Sequence, residues 1–133
     1  MNRFYPDVAE RAAHRCEYCR APERVFNFAF EVEHIQPRAA GGSDQADNLA
    51  LACESCNLYK SDAVEGIDPA TAERTLLYHP RQNSWVEHFA FDPETAEISG
   101  RTATGRATIA RLKLNSAFQI RARQHWARLD LYP

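Results

Sequence analysis

The hydrophobic and polar positions in the first part of the chain predict a short helix and then a strand. Residues 6–10 are typical of a helix start, because Asp7 can serve as the N-cap and Glu10 follows three residues later; this helix is expected to end near Arg15. Residues 25–33 are rich in aromatic and β-branched side chains, which favours a strand.

The predicted strand runs directly into His34, after which the composition changes. Proline, glycine, serine and aspartate predict a loop over residues 36–48. Residues 48–52 then lead to a helical turn expected at residues 57–61. The middle of the chain is therefore predicted to be strand, loop and helix.

The second half of the chain predicts a hairpin and helices. Residues 68–73 are typical of a helix start, with an N-cap followed by proline, and residues 85–99 read as strand, turn and strand. Two basic helices are expected at residues 106–114 and 117–129. The aromatic side chains of residues 85–91 are expected to pack on the first half of the chain, because that half alone is too small to bury a large core.

Length and composition indicate one small domain, or one core with an appendage, at 133 residues and 15.1 kDa. No apolar run approaches the roughly 18 residues of a membrane span. The start of the chain has no apolar stretch of the kind found in secretion signals. We therefore expect a soluble, cytoplasmic protein with no membrane partner.

Four cysteines occur as two pairs of the same spacing, Cys16 with Cys19 and Cys53 with Cys56. Two such pairs can complete a closed four-thiolate shell, which is the usual arrangement of structural Zn²⁺. The alternatives are disulfides, which need an oxidising compartment, or a redox CxxC motif, which would be single and would follow a strand. The spacing favours structural zinc over both.

Several polar residues lie within or just after the stretch that the cysteine pairs bracket. They are Glu33-His34-Ile35-Gln36-Pro37, Gly41-Gly42, Asn48-Leu49, and Asn57 with Lys60. Together with the cysteines, this ordered set resembles the HNH endonuclease motif in its zinc-stabilised form, over roughly residues 14–61. A looser resemblance relates residues 77–115 to the carboxy-terminal extension of a group of small bacterial HNH proteins.

The resemblance implies an α+β fold. Its core would be a ββα-metal unit, or His-Me finger, with the four-cysteine zinc site within residues 1–66. Residues 67–133 would form a carboxy-terminal extension, a hairpin and basic helices, packed on that core.

The resemblance also implies catalytic roles for individual residues. His34 would be the general base that activates water, since histidine titrates near neutral pH. Glu33 and Asn57 would bind the catalytic divalent metal, and Asn48 would brace the loop and orient His34. Taken singly, these residues have ordinary structural interpretations, such as a turn residue for Asn48, a helix cap for Asn57 and a solvated charge for Lys60.

The chain departs from the named motif at Asn57, where the family name implies a histidine. A carboxylate oxygen and an amide oxygen form a hard site that suits Mg²⁺ or Mn²⁺, whereas an imidazole would admit Zn²⁺ more readily. The expected cofactors are therefore structural Zn²⁺ and a catalytic Mg²⁺ or Mn²⁺.

The formal net charge of −2 argues against nucleic-acid binding, which requires Lys and Arg to neutralise phosphates. However, residues 98–129 contain seven basic residues and no acidic one. Such a run is as typical of a solvated helix face as of a DNA-facing surface. The predicted nucleic-acid contacts are Lys60, Arg81, Arg106, Arg111, Arg121 and Arg123.

The sequence therefore predicts a divalent-metal-dependent endonuclease that hydrolyses DNA phosphodiester bonds. The principal alternative is a zinc-bound nucleic-acid-binding module that does not cut; such a module would have no use for a base beside a metal. A third interpretation, a zinc scaffold for protein partners, predicts no DNA affinity. The oligomeric state is left open.

Overall fold

The computed structural model describes residues 2–133 as a mixed α+β protein with three small hairpins and five helices. The helices are α1 (Tyr5–Arg11), α2 (Glu54–Lys60), α3 (Trp85–His88), α4 (Ala103–Leu112) and α5 (Ala117–Arg128). The strands are β1 (Glu31–His34), β2 (Leu49–Ala52), β3 (Glu65–Ile67), β4 (Arg74–Leu76), β5 (Phe89–Phe91) and β6 (Ile98–Gly100).

Strands β1 and β2 form an antiparallel hairpin on which helix α2 packs. The register pairs Glu33 with Ala50 and His34 with Leu49. All four residues of β2 are buried, because this strand lies between α1 and α2 in the core. The predicted strand, loop and helix are thus present, within a ββα unit.

Both elements predicted before the loop differ in extent from the structure. Helix α1 begins at Tyr5 and ends at Arg11, and its N-cap is Phe4 with Asp7 in the first turn. Strand β1 is short because the buried Glu23 side chain accepts the Phe30 backbone N–H at 2.7 Å, which removes that N–H from strand pairing.

The helix expected from residue 68 is absent, and a β3–β4 hairpin takes its place. Asp68 accepts the backbone N–H of Ala70 at 2.9 Å, so the aspartate stabilises the hairpin loop instead of capping a helix. The two basic helices are confirmed as α4 and α5. The predicted strand at residue 85 begins instead as the single turn α3, and β5 and β6 follow.

The carboxy-terminal half packs on the cysteine-containing half, as expected from its aromatic residues. The Trp85 indole N–H donates to the Tyr18 carbonyl at 2.8 Å, and the Tyr132 hydroxyl donates to the Cys19 carbonyl at 2.8 Å. Strand β3 spans the predicted boundary after residue 66. Among residues 2–133, no helix has the length and apolar character needed to cross a bilayer.

Candidate functional site

The four cysteines form one buried cluster. Their Sγ atoms all lie within 4.8 Å of one another, and Cys19 Sγ is 3.7 Å from Cys53 Sγ. Contacts among the thiols raise the pKa of Cys19 and Cys56 and lower that of Cys16. Four thiolates this close repel one another, and a bound cation would stabilise them together. A closed shell of four soft sulfur donors fits a structural zinc ion.

The first cysteine pair is attached to the β1–β2 hairpin by the two residues between its thiols. The Tyr18 hydroxyl donates to Glu33 Oε2 at 2.6 Å, and Glu17 Oε2 accepts the Leu51 backbone N–H at 2.8 Å. These contacts tie the cysteine cluster to the hairpin, and with it to the residues at the end of β1.

Glu33 and Lys60 form a buried ion pair between β1 and α2. Lys60 Nζ lies 2.5 Å from Glu33 Oε1 and donates to the Ile35 carbonyl at 2.9 Å. Glu33 is 5% exposed and Lys60 is 1% exposed. Burial raises the pKa of the Glu33 carboxyl, while the Lys60 ammonium opposes that shift. Lys60 is therefore not a surface contact for nucleic acid in this structure, contrary to the sequence-based assignment.

His34 follows Glu33 and projects from the opposite face of the strand. Its Nε2 lies 2.7 Å from Asp44 Oδ1, and Arg38 Nη2 donates to the same carboxylate oxygen at 2.7 Å. The hydrogen bond with His34 and the charge of Arg38 lower the pKa of Asp44. Arg38 Nε also points toward Nε2, but at 3.4 Å this contact is much longer than the one with Asp44. Because a carboxylate can only accept, Nε2 is assigned as the donor to Asp44 and Nδ1 is left as a proton acceptor.

Asp44 is a residue that the sequence analysis missed as part of the site. It lies in the loop that was predicted from its proline, glycine and serine content. An aspartate in such a loop is typical of a turn residue. An acidic residue ten positions after the candidate base was the only signal available, and it is weak without the loop geometry that brings the two together.

Asn48 braces the loop that carries Arg38 and Asp44. Its Oδ1 accepts the Gln36 backbone N–H at 2.9 Å, and its Nδ2 donates to the carbonyls of Gln36 at 3.0 Å and Ser43 at 2.8 Å. These contacts are with the loop backbone, whereas the His34 ring is held by Asp44. The Asn48 side chain therefore acts on His34 through the loop.

The tight path of this loop also explains one of its glycines. A Cβ atom at Gly42 would lie 1.8 Å from the Gln36 carbonyl oxygen. Any larger residue would push apart the two loop segments that Asn48 joins.

Asn57 occupies the middle of α2, directly after Cys56, and is half-buried. It lies one helical turn before Lys60, so both side chains project toward the same side of α2, where Lys60 meets Glu33. Glu33 Oε1 has Lys60 as a charge partner but no well-directed hydrogen bond within residues 2–133. A carboxylate and an amide oxygen are the donors that Mg²⁺ or Mn²⁺ prefers, and an ion at Glu33 would share that side chain with Lys60 or displace the ammonium.

The structure assigns structural contacts to three of the predicted DNA-binding arginines. Arg123 is fully buried and donates to the Ala96 carbonyl at 2.8 Å, so it is not a surface contact. Arg106 donates to both carboxylate oxygens of Asp68, at 3.0 and 2.8 Å. Arg81 is ion-paired with Glu17.

The two remaining arginines of that prediction are exposed. Arg111 donates to the Tyr59 carbonyl at 3.0 Å, near the end of α2, and Arg121 stacks over Phe118 at 5.1 Å. The carboxy-terminal basic run is therefore divided between packing and surface, and does not form one continuous face.

The buried cysteine cluster, the β1–β2 hairpin and α2 together define a zinc-type finger with polar residues at its edge. The family model described as HNH endonuclease matches residues 16–63, which contain all of these features. Residues 16–63 therefore form an HNH endonuclease domain with a four-cysteine cluster that fits zinc, and this family implies a nucleic-acid substrate. No curated protein and no solved structure matches the chain.

Proposed function

We propose that this protein is an HNH endonuclease that hydrolyses DNA phosphodiester bonds with the help of a divalent metal. The observation that carries the proposal is the pairing of His34 Nε2 with the Asp44 carboxylate at 2.7 Å, within an HNH domain. This contact leaves Nδ1 as the atom that can accept a proton from water.

In the proposed reaction, His34 is the general base. Its Nδ1 takes a proton from the water whose oxygen attacks phosphorus, the bond from phosphorus to the leaving sugar oxygen breaks, and that oxygen takes a proton from solvent. Asp44 keeps the ring in one tautomer and orientation. Arg38 lies beside the ring, with Nε 3.4 Å from His34 Nε2, and its side chain is 66% exposed, so it can meet a phosphate oxygen. Asn48 keeps the loop that holds these groups in place.

The proposed ligands of the catalytic ion are Glu33 and Asn57. When bound, Mg²⁺ or Mn²⁺ would supply positive charge to the phosphate in the transition state. Glu33 presents a lone pair on Oε1, and Asn57 presents an amide oxygen from the neighbouring helix. Because Lys60 already contacts Glu33, we expect the ion to bind in competition with the Lys60 ammonium.

One observation favours the alternative of a nucleic-acid-binding module that does not cut. Glu33 is 5% exposed and is already neutralised by Lys60, as it would be if its only role were to hold α2 on β1. A cleavage assay separates the two functions.

The test is plasmid cleavage by the zinc-loaded protein with Mg²⁺, with Mn²⁺ and with EDTA. We expect cleavage with either metal and none with EDTA. The variant His34→Ala should lose about 10²- to 10⁴-fold in rate and still bind DNA, because the neutral ring adds no charge to binding. Asp44→Ala should retain part of the activity, since the ring remains but its tautomer is no longer held.

The matched control is His125→Ala, which removes an exposed histidine from α5 and should cut like the parent. If His34→Ala cuts as fast as the parent, His34 is not the base. If the parent binds DNA but cuts with none of the metals, the binding module replaces the nuclease.

A further inference from the structure

A basic pocket lies beside the first cysteine pair, at the end of α1. Three arginines line it, Arg11, Arg15 and Arg20, together with Glu17, Tyr78 and Trp85, and its volume is about 220 Å³. Arg81 adds a fourth guanidinium at its edge through its ion pair with Glu17. The pocket and its edge thus contain four arginines and one carboxylate, Glu17, in a chain whose formal charge is −2.

Neutral backbone carbonyls hold two of these arginines in place. Arg11 donates to the Ala46 carbonyl at 2.8 Å, and Arg15 donates to the carbonyls of Arg20 and Leu131, each at 3.0 Å. A carbonyl orients a guanidinium without cancelling its charge. Of the four arginines, only Arg81 forms an ion pair within residues 2–133.

The arginines are close enough to affect one another. Burial, and the charge of Arg11, lower the pKa of Arg81 to about 10, and its buried Nε has no hydrogen-bond partner within residues 2–133. The guanidinium remains charged at neutral pH, so the repulsion among these like charges is present in the folded protein. An anion in the pocket would relieve it.

Arg20 is the arginine best placed to meet a ligand. The carbon of its guanidinium lies over the Trp85 ring, 4.6 Å from the ring centroid, and the residue is half-buried. Stacking on an aromatic ring leaves the N–H groups at the edge of the guanidinium free to donate in its own plane, which is the geometry of bidentate contacts with phosphate.

Arg11 lines both this pocket and a cavity beside the loop of the proposed cleavage site. This neighbouring cavity, of about 440 Å³, is also lined by two carboxylates, Asp7 and Asp44. Asp44 in turn contacts both His34 and Arg38. Arg11 therefore lies between the basic pocket and the loop that carries Arg38 and Asp44.

We propose that the pocket lined by Arg11, Arg15 and Arg20, with Arg81 paired to Glu17 at its edge, binds the phosphodiester backbone of the DNA substrate next to the cleaved bond. This inference rests on the proposed function and assigns the substrate surface to the region of the first cysteine pair, instead of the carboxy-terminal helices. Overall acidity does not prevent such binding, because phosphate contacts depend on local charge.

The test compares Arg20→Gln with Arg121→Gln. Each change removes one positive charge and one guanidinium stacked on an aromatic ring, over Trp85 in the first case and over Phe118 in the second. Binding of a fluorescently labelled DNA duplex is measured by anisotropy in EDTA over a series of salt concentrations, with zinc content and thermal melting as checks of folding.

We expect Arg20→Gln to reduce the salt-dependence slope of the binding constant by about one and to weaken binding roughly tenfold at about 0.1 M salt. Arg121→Gln should match the parent. Arg20→Lys keeps the charge at the same position and should retain the slope even if the loss of stacking affects stability.

An unchanged slope in Arg20→Gln, or an equal loss in Arg121→Gln, would overturn the assignment of this surface, and so would a parent protein that does not bind the duplex. Plasmid cleavage by the parent is measured separately. If the parent cuts but Arg20→Gln keeps its slope, only the surface is misassigned; if the slope falls as expected but the parent never cuts, only the nuclease proposal fails.

Discussion

Replacing Lys60 by Met tests the buried ion pair on which the arrangement of β1 and α2 depends. Lys60 is 1% exposed, its Nζ lies 2.5 Å from Glu33 Oε1, and it also donates to the Ile35 carbonyl. Methionine has a similar length but no charge. The variant would leave the Glu33 carboxylate buried with only the Tyr18 hydroxyl as a partner.

The expected cost is large because the partner left behind is charged and 5% exposed. Breaking a buried ion pair by removing one member typically costs about 3–5 kcal/mol, compared with a total unfolding free energy of about 5–15 kcal/mol. Exposed Lys113, which stacks over the Tyr59 ring at 4.6 Å, provides the control, and Lys113→Met should cost under about 1 kcal/mol.

The assay is urea unfolding of the zinc-loaded proteins without other divalent ions, followed by the same measurement with Mg²⁺. Much of the loss in Lys60→Met should disappear when Glu33→Gln is added, because no unpaired charge then remains. If Glu33 binds the catalytic ion, Mg²⁺ should stabilise Lys60→Met more than the parent. A loss below about 1 kcal/mol, or an equal loss in the Glu33→Gln background, would refute the buried pair.

Two further predictions concern the zinc cluster and the Asp68–Arg106 pair. Cys53→Ser should lose zinc and unfold the HNH domain, because zinc binding contributes roughly 10–16 kcal/mol of folding free energy in finger peptides. Metal analysis and circular dichroism measure these two effects, and a variant that melts like the parent would contradict the prediction. The hydrogen bonds from Arg106 lower the pKa of Asp68 from 3.8 to about 2, so the carboxylate contributes stability above about pH 4 that is lost as pH falls toward 2. The difference in unfolding free energy between the parent and Asp68→Asn should therefore shrink over that range, and a constant difference would count against the ion pair.

Features encoded over short stretches of sequence were predicted well. The two cysteine pairs predicted the four-cysteine cluster, because each CxxC turn brings its own thiols together. The ordered polar residues indicated the HNH domain. Helix α5 follows Ser116, which caps it by accepting the Gln119 N–H at 3.3 Å, and a cap of this kind lies within one turn of the helix that it starts.

Local signals failed where a distant partner decided the conformation. Asp68 before proline is typical of a helix N-cap, but Arg106, 38 positions later, binds its side chain, and the chain folds back as a hairpin. Phe30 has strand propensity, but Glu23 takes its backbone N–H. Propensity is a weak prior that tertiary contacts override.

The environment of charged side chains was decided by tertiary structure alone. The sequence does not show whether a lysine or arginine is solvated, paired or buried. It therefore could not distinguish buried Lys60 and Arg123 from exposed Arg121. Burial depends on partners far along the chain, such as Glu33 for Lys60 and the Ala96 carbonyl for Arg123. The sequence determined which metal-binding and motif residues the chain carries. The fold decided which charged side chains are exposed to solvent, because long-range pairing leaves no periodic pattern in the sequence.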